Sequence, residues 1–556
     1  MSRGSPSPGS PARLLSRFAL AAYAAAALAP LAAILLLEPR GGSFASALEI
    51  LSRPRSLRAV GFTLAQAAAS TVAALAIGLP GAALVARYRF PGRKALKALS
   101  VLPFCLPSIL VVLSFVLFYG RSGYLNRLLM AAAGLEEPPL TFLYGFWGIV
   151  LVHGFYEFPV VLQTVGEVWE RLPRDRERAA RLLGAGRFRA FAAGTLPSLA
   201  PAIAQAASLC FLLCFFSFAV VMVFGGLAGS TLEVEVYRLS RFEADPSAAS
   251  ALALAETVIA IVAVSATALF ERASSRGIAS ARAAGSSPEL ARPRGAALAA
   301  LAAYGVFLAV FLGGPLLSLA IQAFSERGGP FGPASAGLGN FRRLFAGAGA
   351  AFSRAGGPSF ARAAGGTLMT AIPAAAIAAL LGCAGAFGLR RGGAAAGAVA
   401  TLPLAVSGIV ASLGWSLLLP AGGPFLISIV QALGAMPYVL RPVAAALATL
   451  EAGPVRAARS LGATRLRAAL EVELPAVGPT VLAAAAFAFA VSAGDMTAPL
   501  ALARGSFETI PVYLYRLTSS YRFPEACAAG LVLSLVGVSA FAVGRGGSDG
   551  RRRGDA

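Results

Sequence analysis

The sequence predicts an all-α polytopic membrane protein with about twelve transmembrane helices arranged in two homologous six-helix halves. The first observation is the composition: a mean hydropathy of +0.74, with 57% hydrophobic and 13% charged residues, lies outside the range of soluble domains. The second is a repeat. Arg178-Ala-Ala-Arg-Leu-Leu-Gly184 recurs as Arg456-Ala-Ala-Arg-Ser-Leu-Gly462, at an offset of 278, which is half of the 556 residues. A duplicated membrane unit explains both observations.

Twelve apolar runs are long enough to cross about 30 Å of hydrocarbon, which takes about 20 residues of helix. In the first half they lie at 18–37, 59–86, 99–119, 142–163, 198–225 and 251–270, and in the second at 298–323, 367–389, 397–419, 425–447, 476–503 and 525–543. The polar, Gly/Ser/Pro-rich segment 271–297 separates the halves and is predicted to be a linker. The predicted domains are therefore 1–270, the linker 271–297, and 298–556.

The repeat offset changes along the chain. Thr63-Leu64 matches Thr367-Leu368 at an offset of 304, and the offset is 278 from Pro159 and Pro437 onward. The lengths of the connecting loops therefore differ between the halves, while the segment around the repeated motif is constant.

The net charge of +22 comes from 45 Arg and two Lys, and most of it lies between the apolar runs. Basic residues accumulate in cytoplasmic loops of membrane proteins, so this charge predicts topology and not nucleic-acid binding. Both termini, the linker and both motif copies are predicted to be cytoplasmic, with the protein in the bacterial inner membrane. The loop 38–58 disagrees, because it carries Arg40, Arg53, Arg55 and Arg58 on the predicted outer side.

Each motif copy has the composition of a short docking helix. Ala179-Ala180 and Ala457-Ala458 provide turns with little side-chain bulk, and Gly184 and Gly462 follow four residues later, where the chain can turn. Leu196-Pro197 and Leu474-Pro475 then suit the first turn of the next spanning helix, where the missing N–H of proline is no loss. The segments 171–197 and 449–475, here called the first and second coupling loops, are predicted to bind a soluble partner.

These loops resemble the cytoplasmic coupling loops of permease subunits of binding-protein-dependent ABC importers, in which Glu-Ala-Ala is followed by Gly and later by Leu-Pro. Arg178 and Arg456 stand at the Glu position, and Glu177 lies one residue early. The resemblance implies two copies of a cytoplasmic ABC ATPase as partners, which use ATP-Mg, and an external substrate-binding protein. It implies no cofactor bound by this chain itself.

The chain is a fused two-copy permease in length, and it resembles the thiamine importer permease and next the iron(III) importer permease. The likeness to the thiamine type lies in Tyr119–Leu125, Phe211–Ala219 and Phe507–Tyr515. It implies import of thiamine or its phosphates, with iron(III) as the alternative. An ion-coupled secondary transporter is a second alternative, since twelve spans fit both classes.

The residues favour a transport subunit over an enzyme. A phosphate-binding loop needs Gly-Lys followed by Ser or Thr, and the two lysines, Lys94 and Lys97, do not stand in that setting. With one His, no Cys/His cluster and no paired carboxylates, no catalytic or metal site is predicted.

Polar and ionisable residues within the apolar runs are the candidates for the substrate pathway, because they are costly in lipid and tend to face a cavity or a partner. They are Asp495, Glu256, His153 with Glu157 one turn later, and Ser217. A carboxylate such as that of Asp495 suits a cationic substrate, and its alternative role is a structural hydrogen bond between helices.

Overall fold

The computed structural model describes residues 11–37, 44–99, 106–226, 229–283, 290–326, 335–345 and 359–552. In this part the regular structure is helical, accompanied by two isolated β-bridges, so the predicted all-α fold is confirmed. Residues 284–289 of the predicted linker and both chain ends lie outside the described residues.

The described residues before the end of the linker contain thirteen helices. They are α1 Pro11–Leu37, α2 Phe44–Ser52, α3 Pro54–Arg87, α4 Arg93–Leu99, α5 Ser108–Tyr119, α6 Tyr124–Ala133, α7 Phe146–Arg171, α8 Asp175–Leu182, α9 Arg187–Gly194, α10 Leu196–Phe215, α11 Ala219–Phe224, α12 Leu232–Arg241 and α13 Pro246–Ala283. Helix α13 therefore continues into the segment predicted as a linker.

The rest of the described chain also contains thirteen helices. The helices are α14 Ala296–Leu308, α15 Gly314–Ala323, α16 Gly339–Phe345, α17 Phe360–Thr401, α18 Gly408–Leu418, α19 Pro424–Ala435, α20 Pro437–Thr449, α21 Ala452–Ser460, α22 Arg465–Ala468, α23 Leu474–Gly494, α24 Thr497–Leu502, α25 Ile510–Ser519 and α26 Phe523–Arg552. Single π-helical turns join α14 to α15 and α22 to α23, and a 3₁₀ turn follows α17.

Nine helical segments of the described chain are long and apolar enough to cross a membrane, and the bent pair α19 and α20 makes a tenth. Two shorter apolar helices, Ala21–Leu37 and Gly408–Leu418, coincide with the two remaining predicted spans. All twelve predicted runs thus have a helical counterpart.

The duplication is visible in the helix contacts. Gly78 on α3 lies under Val161 on α7, where an added Cβ would come within 2.6 Å of the valine Cβ. Gly382 on α17 meets Val439 on α20 in the same way, at 2.8 Å. These are equivalent positions by the offsets of 304 and 278, and in both halves glycine permits the close helix approach that membrane bundles use.

The first helix of each half packs against the other half. Helix α1 contacts α17 and α18, and α15 contacts α5. Tyr23 of α1 is fully buried in a cluster otherwise formed by second-half side chains. A Cβ on Gly414 of α18 would lie 2.2 Å from the Pro30 carbonyl oxygen of α1, so this crossing depends on glycine. The two halves are therefore interlocked.

The basic loop that disagreed with the predicted topology has a structural explanation. Arg55 Nε lies 3.3 Å from Glu235 Oε2 of α12, and its guanidinium also approaches Glu243. The charge of Arg55 is thus balanced within the fold, which weakens its value as a signal of the cytoplasmic side.

Candidate functional site

A cavity of about 290 Å³ lies between the two halves. This volume is near the lower end of the range for small-molecule sites, roughly 300–1,000 Å³. Four of the five predicted pathway residues line it: His153, Glu157, Ser217 and Asp495. The first half contributes α5, α7 and the break between α10 and α11, and the second half contributes α20, α23 and the break between α23 and α24.

His153 connects two serines at the first-half wall of the cavity. Its Nε2 lies 2.6 Å from Ser217 Oγ, and its Nδ1 lies 3.0 Å from Ser70 Oγ on α3. All three side chains are buried. Ser217 can face the cavity because the helix is interrupted after Phe215 and resumes at Ala219.

Asp495 occupies the corresponding break in the second half. Its carboxylate accepts hydrogen bonds from the backbone N–H groups of Thr497 (2.9 Å) and Ala498 (3.3 Å) at the start of α24, and from Gln431 Nε2 (3.3 Å). The free N–H groups of a helix's first turn bind carboxylate oxygens well, so these bonds give Asp495 a structural role at the start of α24. The structural role of Asp495 and its place on the cavity wall therefore coexist.

The two walls are equivalent by sequence. The offset of 278 relates His153 to Gln431 and Ser217 to Asp495, so the His153–Ser217 pair of one half corresponds to the Gln431–Asp495 pair of the other. The backbone carbonyls of Cys214 and Ser492, also 278 residues apart, each accept a hydrogen bond from a glutamine, Gln66 and Gln431 respectively. A shared architecture thus places a His–Ser pair on one wall and a Gln–Asp pair on the other.

Glu157 adds a second carboxylate to the cavity, one turn after His153 on α7. Its Oε2 atom is buried and has no hydrogen-bond partner among the described residues. Aromatic rings of Tyr156, Tyr438 and Phe487 also line the cavity, and the last two pack edge to face at 5.3 Å between ring centroids. Carboxylates combined with aromatic faces are suited to a cation.

Glu256 does not line the cavity. It lies on α13 with 1% of its surface exposed. It is close enough to Glu233 on α12 for the two carboxyl groups to interact electrostatically, and Glu233 is close enough to Asp495 to do the same. Glu233 is not among the predicted pathway residues, because it falls between two predicted spans, in the short helix α12. Two other residues absent from that prediction, Gln431 and Tyr438, were accessible in part: applying the repeat offset to His153 gives Gln431.

The coupling loops have nearly identical backbones. Helices α8 and α21 end just before Gly184 and Gly462, which have φ values of +85° and +91°. In both, the residue after the glycine donates its N–H to an alanine carbonyl of the motif, Ala180 or Ala458, at 3.0 Å. Leu183 and Leu461 are each 89% exposed beside the turn. Two equivalent apolar tips thus project from the structure.

The first coupling loop is fixed to the body of the protein by Glu177. Its carboxylate accepts hydrogen bonds from Arg87 (2.9 Å), Arg181 (2.9 Å) and Thr195 (3.1 Å). The equivalent position in the second loop is Val455. The glutamate that stands one residue early in the motif therefore has an internal role here, while Arg178 and Arg456 are exposed.

Several known permeases are similar to the chain in sequence. The thiamine transport system permease protein ThiP of Brucella abortus (strain 2308) is 32% identical over 245 residues, which is 44% of this chain and 44% of that protein. The protein of the same name from Escherichia coli (strain K12) is 27% identical over 466 residues, 81% of each chain. A putative 2-aminoethylphosphonate transport system permease protein PhnU of Salmonella typhi is 29% identical over 213 residues, 38% of this chain and 74% of that protein.

The family match covers most of the chain and follows the duplication. Residues 78–279 and 348–545 each match the family described as binding-protein-dependent transport system inner membrane component. Each match contains one coupling loop and one wall of the central cavity. The chain therefore belongs to the family of inner membrane components of binding-protein-dependent transport systems, and carries two copies of the family unit.

Proposed function

We propose that this chain is the permease of an ATP-driven importer that moves thiamine or its phosphates from an external binding protein to the cytoplasm. Two copies of a cytoplasmic ATPase dock on the coupling loops, and both termini and the linker face the cytoplasm. The chain contributes no ATPase site. The relatives named above as thiamine permeases, and the two carboxylates and aromatic rings of the cavity, support this substrate.

The observation that carries the proposal is a direct helical connection between each coupling loop and the cavity. Helix α10 starts at Leu196, at the end of the first loop, and ends at Phe215, two residues before Ser217. Helix α23 starts at Leu474, at the end of the second loop, and ends next to Asp495. Each helix is about 30 Å long.

This arrangement provides a mechanism for coupling. When two ATPase subunits approach each other, they carry the coupling loops with them, and α10 and α23 transmit the displacement to the cavity walls. The helix breaks at Ser217 and Asp495 are the points at which the walls can change their angle. An ion-coupled transporter would leave the two equivalent exposed tips at Leu183 and Leu461 without a role.

The test is uptake of labelled thiamine by proteoliposomes that contain the permease, its cognate ATPase and its binding protein. We expect Asp495→Ala to reduce uptake about tenfold or more, since contacts with a charged group are worth about 1.5–3 kcal/mol, while the ATPase still co-purifies. Asp245→Asn is the matched control, because Asp245 Oδ1 caps α13 by accepting from Ala248 N–H, outside the cavity. Uptake of iron(III) without uptake of thiamine would refute the substrate, and full uptake by Asp495→Ala would refute its role in the pathway.

A further inference from the structure

A second cavity, of about 620 Å³, lies at the edge of the first coupling loop. It is formed by the end of α3, the first coupling loop and the segment 291–297, which leads into α14. Two backbone hydrogen bonds hold this segment against α3: Arg89 N–H donates to the Ala291 carbonyl (2.8 Å), and Ala291 N–H donates to the Arg87 carbonyl (3.2 Å). The cavity is thus built from three separate parts of the chain.

Positive charge dominates its lining. Seven arginines and one carboxylate, that of Glu177, surround the space. Arg87 and Arg181 form ion pairs with Glu177 at 2.9 Å, and Arg174 donates to the Arg87 carbonyl at 3.1 Å. Burial, and next the neighbouring Arg87, lower the pKa of Arg174 from its usual range. The single carboxylate is therefore fully engaged by part of the positive charge.

The other four arginines have no carboxylate within ion-pair distance in the described part of the chain: Arg178, Arg187, Arg292 and Arg294. Like charges gathered around one cavity repel each other, and an anion bound between them removes that cost. Guanidinium groups bind carboxylates and phosphates through paired hydrogen bonds, and several such groups around one space match a multivalent oxyanion.

The position of the cavity indicates the type of anion. Arg87 is the last residue of the membrane-spanning helix α3, and α14, which begins at Ala296, is the start of the next candidate span. The lining therefore lies where spanning helices meet the aqueous phase, at the level of lipid headgroups. Basic pockets between helices on the cytoplasmic side of a membrane bind phosphate-bearing headgroups.

The lining of this cavity is not repeated position for position in the second half. The segment 291–297 occurs once in the chain, and the second coupling loop has Val455 in place of Glu177 and Ala452 in place of Arg174. A ligand here would contact one coupling loop and the connection between the halves, and it would not contact the equivalent second loop.

We propose that this cavity binds a phosphate-bearing anion, supplied either by the headgroup of an anionic phospholipid or by a free phosphate compound. Bound between the first coupling loop and the segment 291–297, it holds the loop against the start of the second half. The assignment rests on the arginine cluster and does not depend on the identity of the transported solute.

The test compares Arg292→Gln and Arg294→Gln with Arg272→Gln. Arg272 lies on α13, is exposed and does not line the cavity. Native mass spectrometry of the purified permease with phosphatidylglycerol or phosphatidylcholine measures lipid retention, and calorimetric titration in neutral detergent measures binding of inorganic pyrophosphate. Arg294→Lys keeps the charge, and shows that a loss in Arg294→Gln is not a folding defect.

We expect each glutamine variant at 292 and 294 to weaken anion binding about fivefold, the worth of one basic residue near a membrane surface. Arg272→Gln and Arg294→Lys should retain it. Selective loss of phosphatidylglycerol with no pyrophosphate binding identifies a lipid headgroup, and pyrophosphate binding lost in the same variants identifies a free phosphate. If wild type binds neither probe, or if Arg292→Gln and Arg294→Gln bind both probes as tightly as Arg272→Gln, the site is refuted.

Discussion

His153 and Gln431 occupy equivalent positions in the two halves and make equivalent contacts through different side chains. His153 lies on α7 and Gln431 on α19, and each contacts the polar side chain at a helix break, Ser217 or Asp495. A neutral imidazole has one donor and one acceptor nitrogen, and the hydroxyls of Ser70 and Ser217 can adapt to either tautomer. Ser70, His153 and Ser217 therefore satisfy one another without a carboxylate, while the equivalent second-half pair includes the carboxylate of Asp495.

At His153 we expect substitution by leucine to destabilise the protein by about 1–3 kcal/mol, since it leaves the buried hydroxyls of Ser70 and Ser217 without their partner. His153→Gln is the matched control, because it installs in the first half the side chain that the second half uses. The measurement is the thermal unfolding midpoint of the purified permease. An unchanged midpoint in His153→Leu would show that the hydroxyls find other partners.

In the proposed coupling mechanism the short helices α8 and α21 matter most, because their glycine turns set the direction of the exposed leucines. No atom of the described residues lies within 4 Å of a Cβ added at Gly184 or Gly462, so space does not limit these positions. The backbone conformation limits these positions instead, because the left-handed conformation costs an ordinary residue roughly 1–2 kcal/mol. Both turns therefore depend on conformation and not on packing.

Substitution of Gly184 or Gly462 by valine is expected to reduce both ATPase co-purification and transport, because a β-branched residue redirects the turn. Asparagine tolerates the left-handed region, so Gly184→Asn and Gly462→Asn should retain most of both activities. Co-purification with the ATPase and uptake by proteoliposomes are the two measurements. Wild-type values for the valine variants would remove the docking assignment.

The crossing of α1 and α18 makes a separate prediction at the same scale. We expect Gly414→Ala to lower stability by about 1–3 kcal/mol, since the new methyl group meets the backbone of Pro30 and overpacks the contact. Gly305→Ala on α14 has open space around it and serves as the control. Thermal unfolding of both variants decides: equal midpoints would mean that α1 moves aside at no cost.

For the molecule as a whole, the proposed orientation can be tested by labelling. Cysteine introduced at Ala185 or Ala463 should react with an impermeant thiol reagent in inside-out vesicles and not in intact cells, because both coupling loops are proposed to be cytoplasmic. The native Cys210, Cys214 and Cys527 are buried, which limits the background. Labelling of either position from outside would reverse the topology.

Much of this architecture is predictable from the sequence, because apolar length and the repeat offset act locally. They predict the twelve runs and the turns at Gly184 and Gly462, and the repeat offset shows that Ser217 and Asp495 occupy equivalent positions. The contact of Tyr23 with the second half is not predictable in this way. A repeat shows which segments are alike, and it does not show which copy of a neighbour a helix packs against.

The packing of each half's first helix against the other half also sets the order in which contacts form during synthesis. About 320 residues separate the end of α1 from the start of α17, the first of its two main partners, and ribosomes add roughly 5–20 residues per second. Helix α1 therefore waits on the order of tens of seconds in the bilayer before Tyr23 and Pro30 meet the surfaces that bury them. The buried environment of α1 is therefore complete only after the second half has been synthesised.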